Sequence, residues 1–270
     1  MALIAMTVHD TDENQRTELT IKTLDSLLTT VDCKKHRIIV VDNGSCQITK
    51  DYLEYKNTLS HVGQGGSFGQ MYDLTVITLP ENKGTSGGIN EAWKVKKEGE
   101  HLIKIDNDCI IHKIGWVDDM EEAIERDPSI GIIALKRKDL AQSPDRDDIY
   151  QTHLKMLPHE SHQKWIVVED TREAFGTCQM FNYRLIEKIG YMYQPGLYGY
   201  DDMISSHRCL LAGFYNCFLP HIEIDHIDNT PTEYWQWKRN EAARCDVEFQ
   251  RTVHEYQSGK RQIYYNPYEL

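Results

Sequence analysis

The 270-residue chain is 40% hydrophobic and 27% charged, ordinary proportions for a globular protein with a sizeable buried core. Its formal net charge of −12 argues against a broad nucleic-acid footprint, although it leaves a local basic groove open. No apolar run approaches the roughly 20 residues that span a bilayer, and MALIAMTVHD lacks the basic flank and apolar length of a signal peptide.

In chain order, the first half alternates β-rich runs with segments whose apolar residues recur at helical spacing. ALIAMTV (2–8), RIIVVDN (37–43), DLTVITL (73–79), HLIKIDN (101–107) and IGIIALK (130–136) read as strands. RTELTIKTLDSLLTT (16–30), CQITKDYLEYKNTLS (46–60), GGINEAWKVKKEG (87–99) and WVDDMEEAIERD (116–127) read as helices. This alternation predicts a parallel sheet with helices on both faces, and ligands in such folds bind beyond the carboxyl ends of the strands. Several strands finish in polar residues suited to that place: His9 and Asp10, Asp42 and Asn43, Asp106 and Asp108. The Gly-rich VGQGGSFGQ (62–70) stands between a helix and a strand, not before a helix, and reads as a loop.

After Arg137 the rhythm breaks, and the polar segment 138–163 reads as a long loop or lid. KWIVVED (164–170) and EAFGTCQMF (173–181) follow as strands, and NYRLIEKIG (182–190) as a short helix. DDMISSHRCLLAGF (201–214) is a longer helix ending at Gly213, YNCFLPHIEIDHID (215–228) is extended, and 232–257 forms a C-terminal helix. Neither a repeat nor a linker interrupts the chain, so one continuous domain over 1–270 is expected. Seven cysteines without a CxxC pair point to reduced thiols in a cytoplasmic setting. The twelve histidines form no HxxxH metal cassette.

Four stretches carry chemistry. In HLIKIDNDCII, Asp106 and Asp108 lie two apart, so on a strand they share a face and repel unless solvent, a lysine or a metal ion intervenes. Alone, the motif is either a polar turn or a site for Mg²⁺ or Mn²⁺, which favour oxygen ligands. ITLPENKGTSGGINEAW (77–93) runs strand, turn, helix. Its Gly84, Gly87 and Gly88 allow close backbone approach, and the helix start offers N–H groups. It has neither GK[ST] nor GxGxxG, and a simple turn with Ser86 as N-cap is the other reading. In VVDNGS, Asp42 can accept from a ribose or base edge, or cap its own turn. In GYDDMISS, Asp201 and Asp202 begin a helix, either as caps or with one serving as a general base.

Taken together, these stretches resemble the family-2 glycosyltransferases, nucleotide-sugar-dependent enzymes of the GT-A fold. The matching residues are Asp42, Gly44 and Ser45, then Asn82-Lys83-Gly84, Gly88 and Asn90, then Asp106-Asn107-Asp108. FGTCQMFNYRLIEKIG resembles the acceptor-side strand and helix, followed by Asp202, Arg208 and Gly213 in the next helix, His226, and YWQWKRN. The resemblance covers residues 2–240. It implies an α/β fold, a Rossmann-like, mostly parallel sheet flanked by helices, with a C-terminal acceptor-side extension. A nucleotide-sugar half would span 1–137, an acceptor and catalytic half 138–231, and a helix and tail 232–270.

By the same resemblance, donor contacts come from Thr7, Val8, His9, Asp42, Asn82, Gly84, Gly88, Asn90, Asp106, Asn107, Lys238 and Arg239. Asp106, Asp108 and His226 would hold Mn²⁺ or Mg²⁺, and Asp202 or Asp201 would be the general base. Trp116, Gly176 and Tyr200 would face the acceptor, with Trp116 stacking on a sugar and Trp93 packing inside its helix. The expected reaction moves one sugar from a nucleotide-sugar, a UDP-sugar by family tendency, to an acceptor hydroxyl with inversion. Processive members carry membrane helices and QxxRW, whereas here Asn240 stands in place of the Trp, which points to single-sugar transfer.

Two rivals stand beside this reading. A nucleotidyltransferase would want a Gly-rich basic loop after the first strand, and TVHDTDENQRTEL has no glycine. A non-catalytic nucleotide-sugar-binding protein is opposed by the intact spacing of the acids. The acceptor is left open among a glycan, a small molecule, a protein and a modified DNA base. Its specificity is expected to reside in 138–163 and the tail KRQIYYNPY (260–268).

Overall fold

Successive residues of the first strand, β1 (Ala2–Val8), point to opposite faces, and both faces are buried. Ala2, Ile4, Met6 and Val8 enter one core with α1 (Thr17–Thr30), α2 (Gln47–Val62) and α4 (Trp116–Arg126). Leu3 and Ala5 enter the other with α3 (Gly84–Trp93), α5 (Tyr183–Ile189) and α6 (Asp201–Leu211). An unbroken apolar strand therefore marks the centre of a sheet covered on both sides. The computed structural model describes residues 1–62, 73–139, 153–157, 165–228 and 231–269.

The remaining strands are β2 (Arg37–Asn43), β3 (Leu74–Leu79), β4 (His101–Ile105), β5 (Cys109–Ile110) and β6 (Ile130–Arg137), then β7 (His153–Leu157), β8 (Ile166–Thr171), β9 (Cys178–Phe181) and β10 (Tyr215–His226). Among the described residues they form a ten-stranded sheet in the order β3-β2-β1-β4-β9-β6-β10-β8-β7, with β5 paired to β10. The β1, β2, β3 and β4 neighbours are parallel, as are β6 and β10, while β9 runs antiparallel between β4 and β6. A last helix, α7 (Thr232–Gln257), packs Phe249 and Tyr256 against Ile204 of α6.

The predicted elements recur with several differences, one being that β9 covers only the last four residues of the strand expected over 173–181. Helix α3 begins at Gly84 and stops at Trp93, because the charged run after it offers no apolar face and Val95 is exposed. Within the polar segment expected to be a loop, β7 pairs antiparallel with β8. Its residues are mostly exposed, so the edge strand carries no alternating apolar signal. Strand β4 ends at Ile105, so the two-residue alternation does not extend through Asp106 and Asp108. The Gly-rich loop, apart from Val62, lies outside the described residues. No helix among them is long and apolar enough to cross a membrane, and all seven cysteines are free.

Candidate active site

Because β1, β2, β4, β6 and β10 run the same way, their carboxyl ends open on one edge of the sheet, where a cleft of about 520 Å³ lies. Thr7 and His9 reach it from β1, Asn43 from β2, Asp106 from β4, Arg137 from β6 and His226 from β10. Helix α7 supplies the facing wall with Tyr234, Trp235, Trp237, Lys238 and Arg239.

One side of the cleft is built by two asparagines. Asn43 Nδ2 donates to Asn82 Oδ1 at 2.9 Å and to the Gly84 carbonyl at 3.1 Å, while its Oδ1 accepts the Lys83 N–H at 2.9 Å. Asn82 Oδ1 also accepts the Gly84 N–H at 2.8 Å, which closes the turn into α3. Gly84 has φ +77°, and a Cβ there would lie 2.9 Å from Leu197 Cα, so only glycine fits. At Gly88 a Cβ would lie 2.4 Å from Thr7 Cγ2, and its absence lets α3 settle onto the end of β1.

At the cleft floor, four charged groups share a small space. Lys104 is buried, with Nζ 2.9 Å from Asp106 Oδ1, 3.2 Å from Asp201 Oδ2 and 2.6 Å from the Gly176 carbonyl. Asp202 Oδ2 accepts the Gly176 N–H at 3.2 Å, and its Oδ1 accepts the Met203 N–H at 2.8 Å. Burial, then the neighbouring Asp201 carboxylate, push the Asp202 carboxyl up to about 6. Burial likewise raises Asp106, against the pull of Lys104. A carboxyl at about 6, as at Asp202, can change protonation state near neutral pH, which a general base requires.

A second cluster forms around Asp108. The two-residue ladder of β5 on β10 pairs Cys109 with His226, and the Ile227 N–H donates to the Asp108 carbonyl at 2.8 Å. The ladder thereby sets Asp108 beside His226, whose Nε2 lies 3.7 Å from Asp108 Oδ2. Asp228 joins them, with one ligating atom from each of the three residues lying within 4.8 Å of the others. Arg16 pairs with both acids, Nη2 at 2.5 Å from Asp108 Oδ2 and Nη1 at 2.9 Å from Asp228 Oδ1. Burial opposes ionisation of Asp108, but the His226 contact and the charges of Arg16, His226 and Lys238 outweigh it and hold this carboxyl below the usual range. Asp108 Oδ1 is buried without a hydrogen-bond partner. An orphaned carboxylate oxygen beside an imidazole and a second carboxylate is a donor set that fits Mn²⁺ or Mg²⁺.

Of the sequence-predicted residues, Thr7, His9, Asn82, Gly84, Asp106, Asn107, Asp108, Gly176, Tyr200, Asp201, Asp202, His226, Lys238 and Arg239 line the cleft. Several do not. Asp42 is 1% exposed, and its Oδ1 accepts the Ser45 N–H at 2.8 Å, so it caps its own turn. Val8 is a core residue. Asn90 spends its amide on Met192, donating to that carbonyl at 2.9 Å and accepting from that N–H at 3.0 Å, and so ties α3 to the chain before α6. Gly88 acts through close packing on Thr7. Trp116 is fully buried with Nε1 donating to Thr30 Oγ1 at 3.3 Å, which replaces the expected sugar-stacking role with a packing one. Trp93 meets Phe181 edge-on in the core, as expected.

Asp106 and Asp108 stand in different charge clusters. A turn follows β4, and each carboxylate meets its own cation, Lys104 for Asp106 and Arg16 for Asp108. Asp106 falls outside the candidate metal cluster, which gains Asp228 instead. Sequence reasoning missed Asp228, which lies two residues past the end of β10, and Lys104, for which a lysine inside the apolar run of β4 was the available signal. Arg16 and Tyr198 also line the cleft with no local motif to announce them, whereas Asn43 lies in VVDNGS and Tyr234, Trp235 and Trp237 lie in YWQWKRN. The tail packs elsewhere: buried Arg208 donates to the carbonyls of Ile263 and Tyr191 at 2.8 Å each and to that of Ile189.

Residues 14–190 match the family described as Glycosyl transferase family 2. The chain belongs to this family and has the GT-A fold. No curated protein sequence matches it. Among solved structures it is similar to a mannosyltransferase from Pyrobaculum calidifontis in complex with GDP-Man and Mn²⁺, at 16% identity and TM-score 0.61, covering 88% of this chain and 60% of that one. It is also similar to TarS 1–349 of S. aureus in complex with UDP, at 15% identity and TM-score 0.58, covering 83% and 60%. A third is GalNAc-T7 with UDP, GalNAc and Mn²⁺, at 13% identity and TM-score 0.57, covering 84% and 44%. The chain therefore spans about 60% or less of the length of these proteins.

Proposed function

We propose that this cleft moves one sugar from a nucleotide-sugar, read as a UDP-sugar, to an acceptor hydroxyl with inversion, and that Asp202 is the general base. The observation that carries this reading is the pairing, in one cleft, of an acid pushed up to about 6 with a second cluster suited to a divalent cation. The two clusters separate the tasks of glycosyl transfer, because one accepts a proton and the other faces the charge gathered on the departing diphosphate.

Asp108, His226 and Asp228 would hold Mn²⁺ or Mg²⁺, which as a Lewis acid would stabilise the nucleoside diphosphate as it leaves. Thr7, His9, Asn82, Gly84, Asp106 and Asn107 line the donor side, with Lys238 and Arg239 facing them from α7. Asp202 takes the proton of the acceptor hydroxyl, whose oxygen then bonds to the sugar carbon as the bond to the diphosphate breaks. Gly176 presents its N–H to Asp202 and, lacking a Cβ, admits that carboxylate. Tyr200, Trp235 and Trp237 offer the acceptor aromatic surface. Asp106, held by Lys104, serves the donor and not the ion.

A panel of nucleotide-sugars with Mn²⁺, scored for thermal stabilisation and hydrolysis, tests the donor. Asp202→Asn should keep that stabilisation while transfer falls by about 10²–10⁴-fold. A fully active Asp202→Asn enzyme would assign the base elsewhere.

A further inference from the structure

Arg16 is 4% exposed and stands at the start of α1, where the Asn14 side chain accepts its backbone N–H at 3.2 Å. Its guanidinium bridges two of the three residues of the candidate metal cluster, Asp108 and Asp228, and also reaches Asn107 Oδ1 at 3.2 Å. Lys238 Nζ lies 2.9 Å from the other Asp228 oxygen. The charges of the two carboxylates are thus already cancelled by Arg16 and Lys238. Neighbouring cations have their own partners, Arg137 with Asp139 and Lys104 with Asp106. A dication entering alone would leave uncompensated positive charge in a poorly hydrated place, which low dielectric penalises strongly. A nucleotide diphosphate carries a negative charge on each bridging phosphate and restores the balance.

We infer that Arg16 makes the cation site conditional on the diphosphate: by neutralising Asp108 and Asp228 in advance, it keeps the divalent cation weakly bound until a nucleotide arrives. This rests on the cleft being the metal-assisted donor site described above. Arg16 is then a positioning residue whose charge couples two ligands. A mere brace between Asp108 and Asp228 would leave that coupling intact when replaced.

The test is a Mn²⁺ titration of the whole chain, followed by the electron paramagnetic resonance signal of free Mn²⁺, with and without UDP or GDP. The wild-type protein should bind Mn²⁺ about tenfold or more tightly when nucleotide is present, within the ordinary range of coupling between sites. Arg16→Met should bind Mn²⁺ alone about tenfold more tightly than wild type and lose most of the nucleotide enhancement, whereas Arg16→Lys should keep both wild-type properties. Equal Mn²⁺ affinity with and without nucleotide in the wild type overturns the inference with no variant needed. So does an Arg16→Met protein whose Mn²⁺ affinity and enhancement are both unchanged. Mn²⁺ binding indifferent to Asp108→Ala is a different failure, which overturns the reading of the metal cluster itself.

Discussion

Lys104 Nζ lies 2.9 Å from Asp106 Oδ1, so the cation that answers this acid at the end of β4 is an ammonium belonging to the strand itself. The same ammonium reaches Asp201 at 3.2 Å, and its field lowers Asp202 against the larger effects of burial and Asp201. Lys104→Met leaves buried carboxylates without their cation and should destabilise the fold by about 3–5 kcal/mol. It should also move the acidic limb of the pH–rate profile to higher pH, because Asp202 loses a charge that favours its ionised form. Urea unfolding and a transfer assay between pH 5 and pH 9 measure the two effects.

Asp202 sets a second pH dependence. Its carboxyl is pushed up to about 6 from an ordinary 3.8, first by burial and then by Asp201. Between those values the folded state binds more protons than the unfolded chain, so stability falls as pH rises through the window. Asp202→Asn should therefore stabilise the fold by about 2–3 kcal/mol above pH 6 and by almost nothing below pH 4. Wild-type transfer should rise with pH through about 6. A variant whose melting temperature differs from wild type equally at pH 4 and pH 8 would contradict this account.

His101 titrates in the opposite sense. It is 6% exposed at the start of β4, where its Nδ1 accepts the Tyr183 N–H at 3.3 Å, and burial pushes it down to about 4 from 6.5. The unfolded chain gains its proton first, so stability present above pH 6.5 is lost as pH falls toward 4. The loss is about 3 kcal/mol. Histidine NMR titration should show this ring neutral at pH 5.5, and His101→Gln should flatten the stability profile between pH 6.5 and pH 4.

Gly88 and Thr7 form a packing pair. A methyl at Gly88 would lie 2.4 Å from Thr7 Cγ2 and 2.6 Å from its Oγ1, but 3.1 Å from its Cβ. Gly88→Ala should destabilise the fold by about 1–3 kcal/mol and weaken nucleotide binding, since Thr7 lines the cleft. Adding Thr7→Ala removes the two closest atoms, so the double variant should be more stable than Gly88→Ala alone. Additive losses would show that the two residues do not interact.

Much of the cleft was readable one strand end at a time. Asn82, Gly84, Asp202 and His226 line it from the turn, helix start and strand end that the sequence reading gave them. The misreadings share a cause, which is period-two or motif logic carried past the end of an element. Asp106 and Asp108 were expected on one face, but the strand stops at Ile105. Trp116 follows the metal motif closely in sequence, yet the first turn of α4 directs it into the core. Asp42 belongs to a matching motif, but its carboxylate serves the Ser45 backbone.

The amino-acid order by itself determined the alternation of strands and helices, the edge on which the cleft opens, and the acids that meet there. Each of these follows from local periodicity and from the shared direction of parallel strands. Only the tertiary structure decided which cation answers each acid, Lys104 for Asp106 and Arg16 for Asp108, and that Asp228 replaces Asp106 beside His226. Arg16, Asp108 and Asp228 come from segments as far apart as α1 and the end of β10. Charge pairing over such separations depends on distance and burial after folding, and no local spacing encodes it.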